Sequence, residues 1–144
     1  MKILSVRQPW AWGFFHAGKD IENRSWSTKV RGRVLIHASL YVPDEFDAEE
    51  FLDASSLRGA MRGRLADAML SSSLMRQRGG IVGSVEIVDC VTASTSPWFF
   101  GPFGFVLRDP RALPFIPLRG RLGFWDAPAD VVSAIPNDIR EIAR

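Results

Sequence analysis

Polar chemistry concentrates between Lys19 and Trp26, where the chain reads Lys-Asp-Ile-Glu-Asn-Arg-Ser-Trp. Lys19 offers a point charge for a phosphate or a proton donor in a cleft, and a cation just past a helix end is also stabilised by the helix dipole alone. Glu22 can accept from a base amino group or act as a general base. Arg24 can fork onto a phosphate or a base edge, and two residues from Glu22 it can equally pair with that carboxylate. Upstream, Gln8 and Trp10 flank Pro9 at a helix start, where free N–H groups suit an anion or a carbonyl oxygen. Trp10 and Trp26 offer faces for base stacking and serve equally as core bulk. The candidate ligand-binding set is Gln8, Trp10, Lys19, Glu22, Arg24 and Trp26, with Lys19 and Glu22 the catalytic pair if the chain is an enzyme.

The elements around this segment must hold it still. Ile3 to Val6 reads as a strand, and Pro9 opens a short apolar helix over Trp10–Ala17 that Gly18 ends. Lys19 to Arg24 is too polar for a core strand, so it lines a surface or cleft between that helix and a buried strand over Arg33–Ala38. Pro43-Asp44 opens an acidic-headed helix through Phe46, Phe51 and Leu52. Leu57, Met61, Leu65 and Met69, at spacing four, predict an amphipathic helix with Arg58, Arg62 and Arg64 off its apolar stripe. Further strands are expected over Ile81–Val91, with Val82 and Val88 on one face and Val85 and Ile87 on the other, and over Phe103–Leu107, which Asp109-Pro110 breaks. Leu113–Leu118 and Leu122–Trp125 read as short strands and Asn137–Ala143 as a terminal helix. Five to seven mostly non-alternating strands with two or three helices argue an α+β fold, a small β-barrel with helical insertions.

With 144 residues and 47% hydrophobic side chains, the chain suits one domain, 1–144, and is too apolar for wholesale disorder. Its single cysteine, Cys90, closes no internal disulfide, which sets the expectation of a reducing cytoplasm. Two histidines and one cysteine are too few for an all-protein zinc site, and no metal or cofactor is expected. No apolar run approaches the roughly 18 residues that cross a membrane, and Arg7-Gln8-Pro9 interrupts any signal-peptide core. There is no Gly-x-Ser-x-Gly elbow and no phosphate-binding loop of the ATPase type. Net charge is only +2, but residues 1–40 carry seven cations against two anions, 41–53 six anions and no cation, and 54–80 five cations against one anion. Two basic segments of this kind could converge on a polyanion, or simply be a solvated surface.

Three blocks carry a family resemblance: Gln8-Pro9-Trp10-Ala11, the Lys19-x-x-Glu22-x-Arg24-Ser25-Trp26 run, and Arg31-Gly32 leading to Ile36-His37-Ala38. They resemble the ASCH family (activating signal cointegrator homology), a branch of the PUA-like superfamily. Ile81–Val91, Gly104-Phe105-Val106-Leu107 and Gly120-x-x-Gly123-Phe124-Trp125 continue the likeness, with 41–79 as a helical insertion. The resemblance implies a PUA-like β-barrel whose cleft, beside the Lys-x-x-Glu segment, takes RNA or another nucleotide-bearing ligand. Members resemble nucleic-acid binders, amidohydrolases of cytidine derivatives and ribonucleases, so it implies no single reaction. In the amidohydrolase-like members a Lys is followed three residues later by Thr, with a distant Glu. Here Glu22 stands at the Thr position, and 92–105 contains no carboxylate.

Three readings follow. The leading one is a nucleic-acid-binding module for RNA or a modified nucleoside, with DNA possible, in a cleft lined by 8–26. The second is a small hydrolase of N4-acylated cytidine, or a ribonuclease, using Lys19 and Glu22. The third is a protein-interaction module. A basic groove continuous with Arg58, Arg62 and Arg64 would favour binding, and a closed cleft sized for one nucleoside would favour the enzyme.

Overall fold

The alternation of Leu4 and Val6 against Ile3 and Ser5, and of Val34, Ile36 and Ala38 against Leu35 and His37, gives two adjacent strands each two buried faces. In the computed structural model, which describes all 144 residues, these are β1 (Lys2–Val6) and β3 (Gly32–Ala38), and they pair in parallel. Around them run β2 (Ile21–Arg24), β4 (Gly80–Val91), β5 (Phe103–Pro117) and β6 (Phe124–Asp126). The sheet order is β2-β5-β4-β3-β1-β6, and every other pairing is antiparallel. The sheet curls into a half-barrel, and with its helices it is an α+β fold of the small PUA-like kind.

The concave face packs Leu4, Val6, Val34, Ile36, Val85 and Phe105 around Phe14 of α1 (Trp10–His16), the short apolar helix. Gly83 lets α1 sit close, because a Cβ there would lie 2.3 Å from the Phe15 ring and 2.8 Å from a backbone oxygen of Arg111. On the convex face, Ile3, Leu35, Ile81 and Leu113 are covered by Val131, Ile135 and Ile139. Those come from or adjoin two C-terminal helices, α4 (Ala129–Ala134) and α5 (Asn137–Ile142). Between β3 and β4 lies the insertion, α2 (Glu45–Ala54), α3 (Gly59–Ser71) and a 3-10 turn over Ser73–Arg76. Asp44 caps α2, accepting from the Asp47 N–H while the Asp47 carboxylate accepts from its own N–H. Phe51 and Leu52 of α2 and Met69 of α3 seat the insertion on Trp12 and Trp98.

Four expectations need correction. The strand expected to break at Asp109-Pro110 instead continues as one 15-residue strand, β5. Asp109 takes the turn in its path with φ at 49°, held there because buried Arg33 donates to its carbonyl at 2.9 Å and its carboxylate at 2.6 Å. Val82, Val85 and Ile87 share one cluster while Val88 is exposed, because the β4–β5 register shifts between Ile81 and Gly83 and again between Ser84 and Glu86. The α3 stripe buries only Met69, and Met61 is 58% exposed, since α3 touches the body mainly through its C-terminal end. Five α-helices stand where two or three were expected, α4 being too short for a periodic signal.

Across the β1–β3 pair, Ser5 faces His37 on the convex side. His37 Nε2 donates to the Leu118 carbonyl at 2.6 Å, leaving Nδ1 to accept from Ser5 Oγ at 3.1 Å. Burial pushes the His37 pKa below its usual value, partly opposed by the Leu118 carbonyl, and burial lowers that of His16 as well. The unfolded chain therefore binds protons first as pH falls. Stability is full above about 6.5 and is lost as pH drops through the folded values. The urea midpoint is expected to fall on acidification from about pH 7 to about pH 5, with a shallower slope in His37→Asn. Identical slopes for the two proteins would contradict this assignment.

Candidate functional site

The two end strands of the curled sheet, β2 and β6, do not pair with one another. Side chains close the seam instead. Arg24, at the end of β2, donates from Nη2 to the Ser5 carbonyl of β1 at 2.6 Å. Just beyond β2, the Trp26 ring meets Phe124 of β6 at 5.8 Å and Phe105 of β5 at 5.3 Å, edge-on in both cases. At this seam opens a cavity of about 520 Å³, lined by β1, β2, α1, α2 and the connections that carry Arg7, Lys19, Ser39, Phe100 and Arg121.

Its floor is a chain of charges. Lys19 is 3% exposed; its Nζ donates to the Ile21 carbonyl and to Glu22 Oε1 at 3.2 Å, and sits 4.6 Å over the Phe14 ring and 5.6 Å from Trp10. Glu22 Oε2 accepts from Arg24 Nε at 3.0 Å and Nη2 at 2.9 Å. Arg24 Nη1 has no partner within the protein. Burial drives the Lys19 pKa down, and the Glu22 carboxylate works against that shift. Both carboxylate oxygens of Glu22 thus accept from cations, Oε1 from Lys19 and Oε2 from Arg24. The free donors face outward: Arg24 Nη1, and at the rim the exposed Arg7 and Arg121, with Glu50 the other acid on the lining.

Four of the six sequence candidates come together here: Trp10, Lys19, Glu22 and Arg24. Gln8 and Trp26 do not line the cavity. Gln8 is 1% exposed, accepting from the Trp12 N–H at 2.8 Å and donating to the Gln77 carbonyl at 3.2 Å, so it ties α1 to the end of the insertion. Trp26 lies with its ring 5.8 Å from the Arg24 guanidinium and supports that side chain. Sequence reasoning missed Arg7, Asn23, Glu50, Arg121 and Leu122 on the lining, and it read Phe100, in the Trp98-Phe99-Phe100 run, as core or loop packing. Asn23 carried the one available signal, a polar residue within the polar strand. The others arrive on loops and on α2, where no local pattern marks them. Arg58 and Arg64 lie off this cavity, and Arg62 pairs with Glu49 and Asp53 at 2.9 Å, so the two basic segments do not converge here and the continuous basic groove is not formed.

Residues 4–99 match the family model of the ASCH domain. The chain belongs to the ASCH domain family. This ASCH domain is 28% identical over 131 residues to human activating signal cointegrator 1, and 27% identical to the mouse protein. Each match covers 85% of this chain but 21% of the relative, so the domain spans about a fifth of the length of those curated proteins. The matched segment takes in the whole charge chain and stops at Phe99, within the loop between β4 and β5.

Removing one partner of a buried pair costs more than removing the other when only one removal strands a charge. Glu22→Ala leaves Lys19 without its carboxylate and is expected to cost about 3–5 kcal/mol. Lys19→Met leaves Glu22 paired with Arg24 and is expected to cost about 1–2 kcal/mol. Urea unfolding of the two variants measures both. Equal losses would show that Glu22 does not hold the network.

Proposed function

We propose that this domain binds single-stranded RNA, seating phosphate or carbonyl acceptors of the ligand on the cationic floor of the seam cavity. The observation that carries this reading is the commitment of both Glu22 oxygens to Lys19 and Arg24. It turns the floor into a donor surface, with Arg24 Nη1 unspent and Arg7 and Arg121 at the rim. The half-buried Trp10 ring supplies an apolar wall beside those donors, as a nucleotide requires. Membership of a family associated with RNA binding points the same way. The hydrolase reading loses support for a matching reason: no hydroxyl replaces the Thr of the amidohydrolase-like pattern, and Glu22 is tied to two cations.

The cations at the cavity are four, Arg7, Lys19, Arg24 and Arg121, against Glu22 and Glu50. Contact with two or three phosphates gives a slope of log affinity against log salt of roughly −1 to −2 for a single strand. Fluorescence anisotropy with labelled single-stranded RNA, at several salt concentrations, measures it. Arg24→Ala is expected to weaken binding several-fold and flatten the slope. Absence of binding at low salt would defeat the proposal. Robust hydrolysis of N4-acetylcytidine by the wild type, abolished in Lys19→Ala, would replace it with the enzyme reading.

A further inference from the structure

Three aromatic residues follow one another in the loop between β4 and β5, and they have different fates. Trp98 is buried against Phe51, with ring centroids 5.3 Å apart. Phe99 packs over Gly104, where a Cβ would lie 2.7 Å from its ring. Phe100 is left 65% exposed on the lining of the seam cavity. Its backbone is nevertheless fixed. Asn23 Oδ1 accepts from the Phe100 N–H at 2.8 Å and the Gly101 N–H at 3.0 Å, while its Nδ2 donates to the Trp98 carbonyl at 2.9 Å. Asp20 holds the same loop through Ser96 at 2.6 Å. On the other side of the seam, Leu122, just before β6, lines the same cavity and is 99% exposed.

An exposed aromatic ring on a fixed backbone has only its own side-chain freedom to lose when a ligand covers it, so its stacking surface converts efficiently into affinity. We propose that Phe100 is the stacking face for one unpaired base at the cavity mouth, that Leu122 covers the base from the opposite lip, and that Asn23 is the positioning residue. This rests on the nucleic-acid reading and adds to it which residues bind the base. The ligand chemistry follows from what stands side by side: flat apolar surface at the mouth and hydrogen-bond donors on the floor. A base joined to a phosphate has that pairing of parts. The base must be unpaired, because within a duplex its π-face is covered by its neighbours.

The test compares a short oligouridine with an abasic ribose-phosphate chain of the same length, both single-stranded and labelled for anisotropy. The wild type is expected to bind oligouridine about ten-fold tighter than the abasic chain. Phe100→Ala should erase that preference and leave abasic binding unchanged, and Phe100→Tyr should restore it. Asn23→Ala should lower the preference while sparing abasic affinity, whereas general loosening of the fold would weaken both ligands together. An undiminished preference in Phe100→Ala, or an equal loss on both ligands, would overturn the assignment while leaving the cationic floor intact. If the wild type binds neither chain, the nucleic-acid reading itself fails, and the assignment falls with it.

Discussion

Glu22 accepts Lys19 on one carboxylate oxygen and Arg24 on the other, and the closing of the curled sheet runs through that arrangement. An ammonium as buried as Lys19 survives only beside a fixed anion. Arg24 can reach the Ser5 carbonyl because Glu22 holds its Nε–Nη2 edge, and Nη2 donates to both. One strand of four residues, β2, therefore supplies the counter-ion for the buried charge just before it and the link to β1. Its neighbours are arranged to tolerate this. Phe14 and Trp10 present ring faces to the ammonium, and Trp26 lies beside the guanidinium.

The same geometry narrows the chemistry. A general base needs lone pairs open to water or substrate, and the Glu22 oxygens have cations on them. What the floor holds is donors, with Lys19 Nζ tied to Ile21 and Glu22 and Arg24 tied through Nε and Nη2. Whether a bond also breaks there depends on a nucleophile, and the side chains of that kind on the lining are the Lys19 amine, held by Glu22, and the Ser39 hydroxyl.

Local signals were legible from residue types. The apolar alternation of β1 and β3, the Pro-led apolar helix, the Asp44 cap and the polarity of 19–26 each have a cause confined to a few neighbours, and each is found in the fold. The grouping of Lys19, Glu22 and Arg24 was legible for the same reason: spacings of two and three within one extended segment bring them together. What depends on distant pairing was not. Arg33 reaches across 76 positions to hold Asp109 and so keeps β5 continuous through a proline. Gln8, expected on the ligand side, turns inward because the insertion delivers a carbonyl, that of Gln77, 69 positions away. Phe100 gains its place only once β2 and β5 have paired and Asn23 lies beneath the returning loop's amides.

The unjoined ends of the sheet have a consequence for association. An exposed strand edge is a row of free amides and carbonyls that invites another chain to add on. Here the two end strands are four and three residues long, too short to template much. The curl brings one of them, β2, and the end of β1 to two sides of one opening. A ring sealed by a complete ladder would have no free edge and no opening, and a flat sheet would have an opening to every passing strand. This fold sits between the two, its opening bridged by the Arg24–Ser5 hydrogen bond in place of a ladder.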